Sequence, residues 1–304
     1  MDTSPMLSVV IATFNQQEYI LRCLESLEHD NTSVVELIVV DDCSTDKTFD
    51  LATQWISKNG FVFYGAITIR NNKNMGVSYT YTAGARKAHG TYVHWMGGDD
   101  LHMPNSFSEI LSRASISHVP VFSSSVLEFM ETNGKRDFIR NIPAWLSRCF
   151  FFFPAWLQFR FVLLKGSPLY CGCQMFIAKD LLESVGFFGE EYKSFEDIQT
   201  YLRILRGGQK IAFINVAVSL WRRHQQSIST RAYTRNDMFI EDHRRIYAEF
   251  CYDIKNRATQ YILKKYYLES NKRYIYFSIP WLFFHALPNL LSLRALTRLR
   301  KSIT

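Results

Sequence analysis

An α/β fold on a doubly wound, mostly parallel sheet is what this 304-residue sequence predicts. Three observations carry it. Short runs rich in β-branched residues alternate with runs whose apolar residues recur at helical spacing. The strand-like runs end near residues 12, 40, 70 and 96, a repeat of about thirty residues, which is the pitch of a strand–helix–strand unit. The apolar fraction is 47% and charged residues make up 21%, so the chain can build a core, and disordered, collagen-like and disulfide-scaffold classes are excluded.

Leu7–Ala12 (LSVVIA) is a short, nearly unbroken apolar run, the pattern of a strand buried on both faces. Gln16–Leu27 follows with Ile20, Leu21, Leu24 and Leu27 at helical spacing, and Asn15 stands three residues before Glu18, which predicts a capping box. Val35–Val40 (VELIVV) is the second strand and runs into Asp41-Asp42. A helix from about Asp46 to Ser57 comes next, with Ser44 or Asp46 placed to cap it. Ala66–Arg70 is the third strand, Val77–Ala88 a helix closed by Gly90, and Thr91–Met96 (TYVHWM) the fourth strand. One main domain over residues 1–235 is expected, in two halves at about 1–104 and 105–235. Residues 236–304 read as a helical appendage rich in basic and aromatic residues.

The net charge is +7, and it is uneven. Residues 243–304 hold twelve Lys and Arg against three Asp and Glu, which leaves 23 basic and 25 acidic residues in 1–242. A near-neutral body with a cationic tail suits an anionic surface. The six cysteines (23, 43, 149, 171, 173 and 251) contain no CxxC pair, so a reducing compartment is the plain expectation. Met1-Asp2-Thr3-Ser4-Pro5 leads straight into a strand without a basic n-region, which argues against a secretory signal. Cys171-Gly172-Cys173 has no further Cys or His at zinc spacing, so buried thiols are expected there.

In doubly wound sheets the chemistry lies beyond the carboxyl ends of the strands. The first strand delivers Ala12-Thr13-Phe14-Asn15, the second Asp41-Asp42, and the fourth Gly97-Gly98-Asp99-Asp100. No GxGxxG follows the first strand and no GxxxxGK[ST] occurs, so neither a dinucleotide site nor a P-loop is indicated. Two acidic pairs at neighbouring strand tips repel unless a cation or donors neutralise them. That points to a ligand site, the alternative being that these acids cap or turn the chain.

Five further stretches, in order, carry a resemblance. Ser8–Asn15 (SVVIATFN), Glu36–Thr48 (ELIVVDDCSTDKT), Asn74–Ser78 (NMGVS), Gly90–Pro104 (GTYVHWMGGDDLHMP) and Ser194–Arg203 (SFEDIQTYLR), followed by Trp221–Ser229 (WRRHQQSIS), resemble the family 2 glycosyltransferases with the GT-A fold. The bias is toward members that build bacterial surface polysaccharides of O-antigen or capsule type. The resemblance implies an inverting transfer of a hexosyl or related sugar from a UDP-, GDP- or dTDP-linked donor, assisted by Mg²⁺ or Mn²⁺. It assigns Asp99 and Asp100 to the metal, with His224 over the diphosphate or in the metal shell beside Arg223. Asp42, with Asp41 as its neighbour, matches the acid that bonds the base or ribose. Ala12 and Phe14 line that pocket, and Asn74 and Gly76 form the loop near the nucleoside. Asp197 matches the base that takes the acceptor's proton, with Glu196 orienting it or binding acceptor. Two departures stand out: Gly97 replaces the first Asp of the common metal motif, and Tyr81-Thr82 stands where many relatives have Arg-Asn.

Two segments hold much of the aromatic excess: Trp145–Leu164, broken by Pro154 and containing Arg148, Gln158 and Arg160, and Tyr274–Leu291, containing Pro280, His285 and Pro288. Internal Pro and charge with Trp and basic flanks suit a helix lying in a membrane interface; a span and simple core packing are the alternatives. Contiguous Phe and Trp fit lipid better than bases stacked singly, so no nucleic-acid partner is expected. A polyprenyl-diphosphate-linked or glycan acceptor, an anionic membrane partner and a peripheral place on the cytoplasmic face of the inner membrane complete the expectation. The rival is a non-catalytic, membrane-attached nucleotide- or glycan-binding protein that keeps the fold.

Overall fold

A computed structural model of the chain describes residues 6–30, 32–132, 134–164, 168–225, 227, 237–251, 263, 264 and 268. Strand β1 (Leu7–Thr13) is buried along its whole length. It lies between two parallel partners, β2 (Val35–Asp41) and β4 (Tyr92–Gly97), with Val10 in register with Ile38 on one side and Trp95 on the other. β3 (Gly65–Arg70) continues the parallel set beyond β2. A central strand covered on both faces favours apolar side chains on each of them, and the polar exceptions Ser8 and Glu36 bond each other, Ser8 Oγ donating to Glu36 Oε2 at 2.6 Å. Side-chain alternation divides the core instead: Val10, Ile38, Val40 and Trp95 enter one cluster, while Val9, Ile11, Leu37 and Met96 enter the other.

Helices α1 (Ile20–Leu27), α2 (Thr48–Asn59) and α3 (Val77–Lys87) follow the first three strands as the sequence pattern requires. The capping box at Asn15 does not form. α1 starts after Tyr19 with no side-chain cap, and Asn15 adopts a left-handed φ of 52°. Its Oδ1 accepts from Thr45 N at 2.8 Å, so the side chain ties the loops after β1 and β2 together. Asp46 does satisfy the start of α2, accepting from Thr48 N at 2.9 Å.

Past β4 the sheet becomes mixed. β5 (Leu101–His102), β6 (Val121–Thr132), β7 (Lys135–Ile142), β8 (Met175–Ala178) and β9 (Ala212–Arg223) complete nine strands in the order β3-β2-β1-β4-β8-β6-β9-β5, with β7 paired to β6. β8 runs antiparallel to both β4 and β6, and β9 runs parallel to β6, which brings its end back beside the tip of β4. Helices α4 (Ser106–Ser117), α5 (Ala155–Leu163), α6 (Lys179–Ser184), α7 (Glu196–Arg206) and α8 (Asp237–Ile246) follow, and α8 ends in a π-turn, Tyr247–Cys251.

The first aromatic segment is two docked pieces, a 3₁₀ turn over Trp145–Phe152 and then α5, parted at Pro154. Phe150, Phe151, Val162 and Leu163 enter the core, whereas Trp145 (73% exposed), Phe152 (83%) and Trp156 (60%) face outward. Buried Gln158 fastens the segment to β9's approach, donating to Ile211 O and accepting from Ile211 N, each at 2.9 Å. Among the described residues no helix is long and apolar enough to cross a membrane. Tyr274–Leu291 and the basic residues around it lie outside the described residues.

Candidate functional site

The loops after β1 and β2 form one cross-linked rim. Asn15 N donates to Ser44 Oγ at 2.9 Å and Gln16 N to Thr48 Oγ1 at 2.8 Å. Ala12 is nearly buried beside Val40 and Gly97, and Phe14 stands half open to solvent. The two acids at the tip of β2 behave differently. Asp42 is closed off: its Oδ1 accepts from Asn71 Nδ2 and Met75 N, its Oδ2 from Gly76 N, all at 2.8 Å. Asp42 therefore holds the loop that carries exposed Asn74. Gly76 can enter that loop because its φ is +93°, and a Cβ there would press on Lys193 O at 3.0 Å. Asp41 is also buried, and its Oδ2 accepts from Ser44 N at 2.9 Å with Arg70 Nε 3.5 Å away. Asp41 Oδ1 finds no donor among the described residues. Asp42, the acid that the resemblance places on the nucleotide, has both oxygens taken up by this loop, while the buried Oδ1 of its neighbour Asp41 is left without a donor among the described residues.

At the tip of β4 the chain turns through Gly97 and Gly98 into Asp99 and Asp100, under the end of β9. Arg222 N donates to Asp100 Oδ1 at 2.9 Å and Arg222 Nε to Asp99 O at 2.7 Å. Arg222 also pairs with Glu131, which accepts from Arg22 at 2.9 Å, and the guanidinium lies 5.1 Å from the Tyr19 ring. These two arginines, Arg22 first, hold the Glu131 carboxyl down at about 2. Asp99 Oδ2 lies 2.7 Å from His224 Nε2, and Tyr19 stacks at a tilt on the imidazole at 4.9 Å. At Gly97, where the common motif has Asp, a Cβ would overlap Asp99 Oδ1, so a side chain there would displace the Asp99 carboxylate.

Loss of water and the charge of Asp99 push the buried Asp100 carboxyl well above its ordinary range. Two adjacent acids with that conflict and hard oxygen donors fit a divalent cation. His224 is drawn to Asp99 itself, and among the described residues no group of three His, Cys, Asp or Glu side chains is arranged to hold a metal. The fit therefore rests on the two carboxylates. Arg223, expected beside His224, points to the other face of β9, where it meets Glu128 at 3.1 Å and lies over Trp221.

Glu196 and Asp197 form the first turn of α7, where carboxylates suit the helix dipole. Burial and then the charge of Asp197 raise the Glu196 carboxyl well above its usual range. Both acidic pairs act on the same surroundings. Burial lifts the Tyr81 hydroxyl well above its ordinary value, and the charges of Glu196, Asp100 and Asp99 add to that. Burial also raises the Cys171 thiol, again with help from Asp100 and Asp197. The turn before α7 meets the loop after β3 directly, Val77 N donating to Lys193 O at 3.2 Å. Cys171 and Cys173 are buried with their sulfurs 3.5 Å apart, and Gly172 packs directly on the Trp95 indole nitrogen, with no room for a side chain. Tyr81 and Thr82 are buried against Phe188, so the position that carries Arg-Asn in many relatives serves packing here. Asn71, Tyr19 and Glu131 escape a sequence reading, because each lies in a stretch with no chemical motif of its own.

Comparison with known proteins agrees with this architecture. The family model described as Glycosyl transferase family 2 matches residues 8–186. A Campylobacter jejuni protein named GalNAc(5)-diNAcBac-PP-undecaprenol beta-1,3-glucosyltransferase is 25% identical over 134 residues, 44% of this chain and 42% of its own. The alignments with three other curated relatives span 33–38% of those proteins' length. Staphylococcus aureus TarS (residues 1–349) with UDP-GlcNAc superposes with a TM-score of 0.61 at 19% identity, over 91% of this chain and 78% of that one. A Pyrobaculum calidifontis mannosyltransferase in complex with GDP-Man and Mn²⁺ superposes with a TM-score of 0.58 at 17% identity, over 96% and 76%. With its GT-A sheet and a match across more than half of its length, the chain belongs to glycosyl transferase family 2.

Proposed function

We propose that the chain is an inverting, divalent-metal-dependent glycosyltransferase that moves a sugar from a nucleoside-diphosphate donor to a lipid-linked or surface-glycan acceptor. The observation that carries this reading is that buried Asp100, with Asp99, ends β4 beside β1, while the turn that leads into Glu196-Asp197 bonds Val77, next to the loop that Asp42 holds. Inversion needs one base to take the proton of the attacking hydroxyl, and the leaving diphosphate needs its gathering charge offset. Asp99 and Asp100 would hold the metal, and His224 orients Asp99. Bound there, Mg²⁺ or Mn²⁺ would offset the charge that gathers on the departing diphosphate. Asp41 Oδ1, without a donor among the described residues, is an acceptor for an N–H of the nucleotide, and Phe14, half exposed just past β1, offers a ring to the base. Asp197 takes the proton of the acceptor hydroxyl as that oxygen attacks the anomeric carbon and the bond to the diphosphate breaks on the opposite face. Glu196, whose carboxyl burial and then the charge of Asp197 raise above its usual range, orients or binds the acceptor.

The nucleotides in the neighbouring structures and the undecaprenol in the name of the Campylobacter relative support this choice of substrates. Exposed Trp145, Phe152 and Trp156, with Arg160 over Trp156, support a peripheral seat on an anionic leaflet, the cytoplasmic one for a nucleotide-sugar enzyme. The second reading, a non-catalytic binding protein, draws on Gly97 and on the buried Tyr81-Thr82. Thermal shift with UDP, GDP and dTDP, each with and without Mn²⁺, tests the first. A metal-dependent rise is expected, and Asp197→Asn should keep that rise while losing turnover of the accepted nucleotide sugar. No rise with any nucleotide, or full turnover in Asp197→Asn, sinks the assignment.

A further inference from the structure

Residues 237–251 lie beyond the family match, which ends at residue 186, yet they grip the helix of the candidate base at two places. Asp242 on α8 is 1% exposed. Its carboxylate accepts from Lys193 N at 3.1 Å, from Ser194 N at 2.7 Å and from Ser194 Oγ at 2.6 Å. No Lys or Arg among the described residues pairs with it. In the π-turn, Glu249 accepts from Arg203 Nε at 2.8 Å and from Tyr192 Oη at 2.7 Å, and its carbonyl accepts from Arg206 at 3.0 Å.

An anion buried without a cation is costly unless several donors converge on it, so its place is strongly determined by those donors. Here all of them belong to the turn that leads directly into α7. Lys193 is held on both sides: its N–H by Asp242 and its carbonyl by Val77 N at 3.2 Å. Val77 follows Gly76, whose N–H is held by Asp42. A continuous hydrogen-bonded path thus runs from the nucleotide loop through the turn before α7 to α8. Arg203 and Glu249 already fasten α8 to the far end of α7, about two turns along. α8 and its π-turn thus have a second attachment besides Asp242.

We propose that Asp242 is a positioning residue: it clamps the Lys193–Ser194 turn so that α7 presents Asp197 to the acceptor hydroxyl. The proposal rests on the reading of Asp197 as the base. The charge of Asp242 also reaches Glu196, the other acid of the pair.

The test uses the full chain and reads release of UDP from UDP-GlcNAc and of GDP from GDP-mannose, together with hydrogen exchange. Asp242→Asn turns one accepting oxygen into a donor facing N–H groups. It should lower kcat by about tenfold to a hundredfold with the donor KM unchanged, the size expected for a misplaced catalytic group. Ser194→Ala, which removes a single bond, should lower kcat less. Measured on the residual turnover of Asp197→Asn, Asp242→Asn should have no further effect, because a clamp acting through the base has nothing left to position. Exchange in Asp242→Asn should speed up over Lys193–Ile198 and stay unchanged beyond Arg203, a readout that needs no substrate. Wild-type kcat in Asp242→Asn, additive losses in the double variant, or loosening along all of α7 would each overturn the clamp. If Asp242→Asn fails to fold, wild-type kcat in Ser194→Ala overturns it as well. Retained turnover in Asp197→Asn alone marks instead the failure of the base assignment.

Discussion

Asp41 and Asp42 are chemically identical neighbours, and their surroundings give them opposite tasks. Asp42 accepts from three donors on the loop that holds Gly76, so Asp42→Asn should cost about 2–4 kcal/mol in urea unfolding, because a buried N–H would then face an amide N–H. Asp41→Asn keeps an oxygen for Ser44 N and should cost roughly 1 kcal/mol or less. Its nucleotide affinity should fall about tenfold by calorimetry, the effect of weakening one hydrogen bond. The opposite ranking, with Asp42→Asn stable and weak in nucleotide binding, would return the donor contact to Asp42. The sequence shows the pair but not which member is occupied, since the occupying donors come from residues 71, 75 and 76 and meet Asp42 only once β3 lies beside β2. Gly97 is similar. As a departure from a motif it looks like lost function, whereas its neighbourhood shows that a side chain there would push the Asp99 carboxylate aside.

Strands and helices of the first half were legible because their signal is local. The strand from residue 7 and the helix from residue 77 begin where their apolar spacing begins. The start of α1 was not, because Asn15 is drawn across to Thr45 rather than back to its own helix. Where β4 meets β8, His94 is buried, stacks on Phe176 at 4.4 Å and bonds Met175 O through Nδ1 at 2.9 Å. Burial lowers its pKa from 6.5 to about 3, with the nearby His102 acting in the same direction and Met175 O opposing. The unfolded chain therefore binds a proton that the folded one refuses. Stability from this residue is complete above pH 6.5 and falls as the pH drops toward 3, by about 1.4 kcal/mol per pH unit. His94→Gln should flatten that slope in urea titrations between pH 4 and 6, roughly the window between the two values. An unchanged slope would place the acid sensitivity elsewhere, His102 being next, since burial lowers its pKa also.

Across the molecule, one face of the first aromatic segment builds core and the other carries Trp145, Phe152 and Trp156 into solvent. The double variant Trp145→Ala/Trp156→Ala should lose most of its co-sedimentation with anionic liposomes at low salt, since each buried indole contributes about 2 kcal/mol. Equal, negligible pelleting of the unaltered protein with anionic and neutral liposomes would remove the membrane from the proposal. The sequence by itself determined the parallel half of the sheet, the family and the two acidic pairs, because apolar periodicity and residue order are properties of neighbours along the chain. Tertiary structure alone decided which carboxylate stays open, that Arg222 turns toward Asp99 and Arg223 away, and that a helix beginning at residue 237 grips the turn before α7. Those outcomes depend on donors brought together from distant segments, and no local pattern encodes where a chain's far end will place its charge.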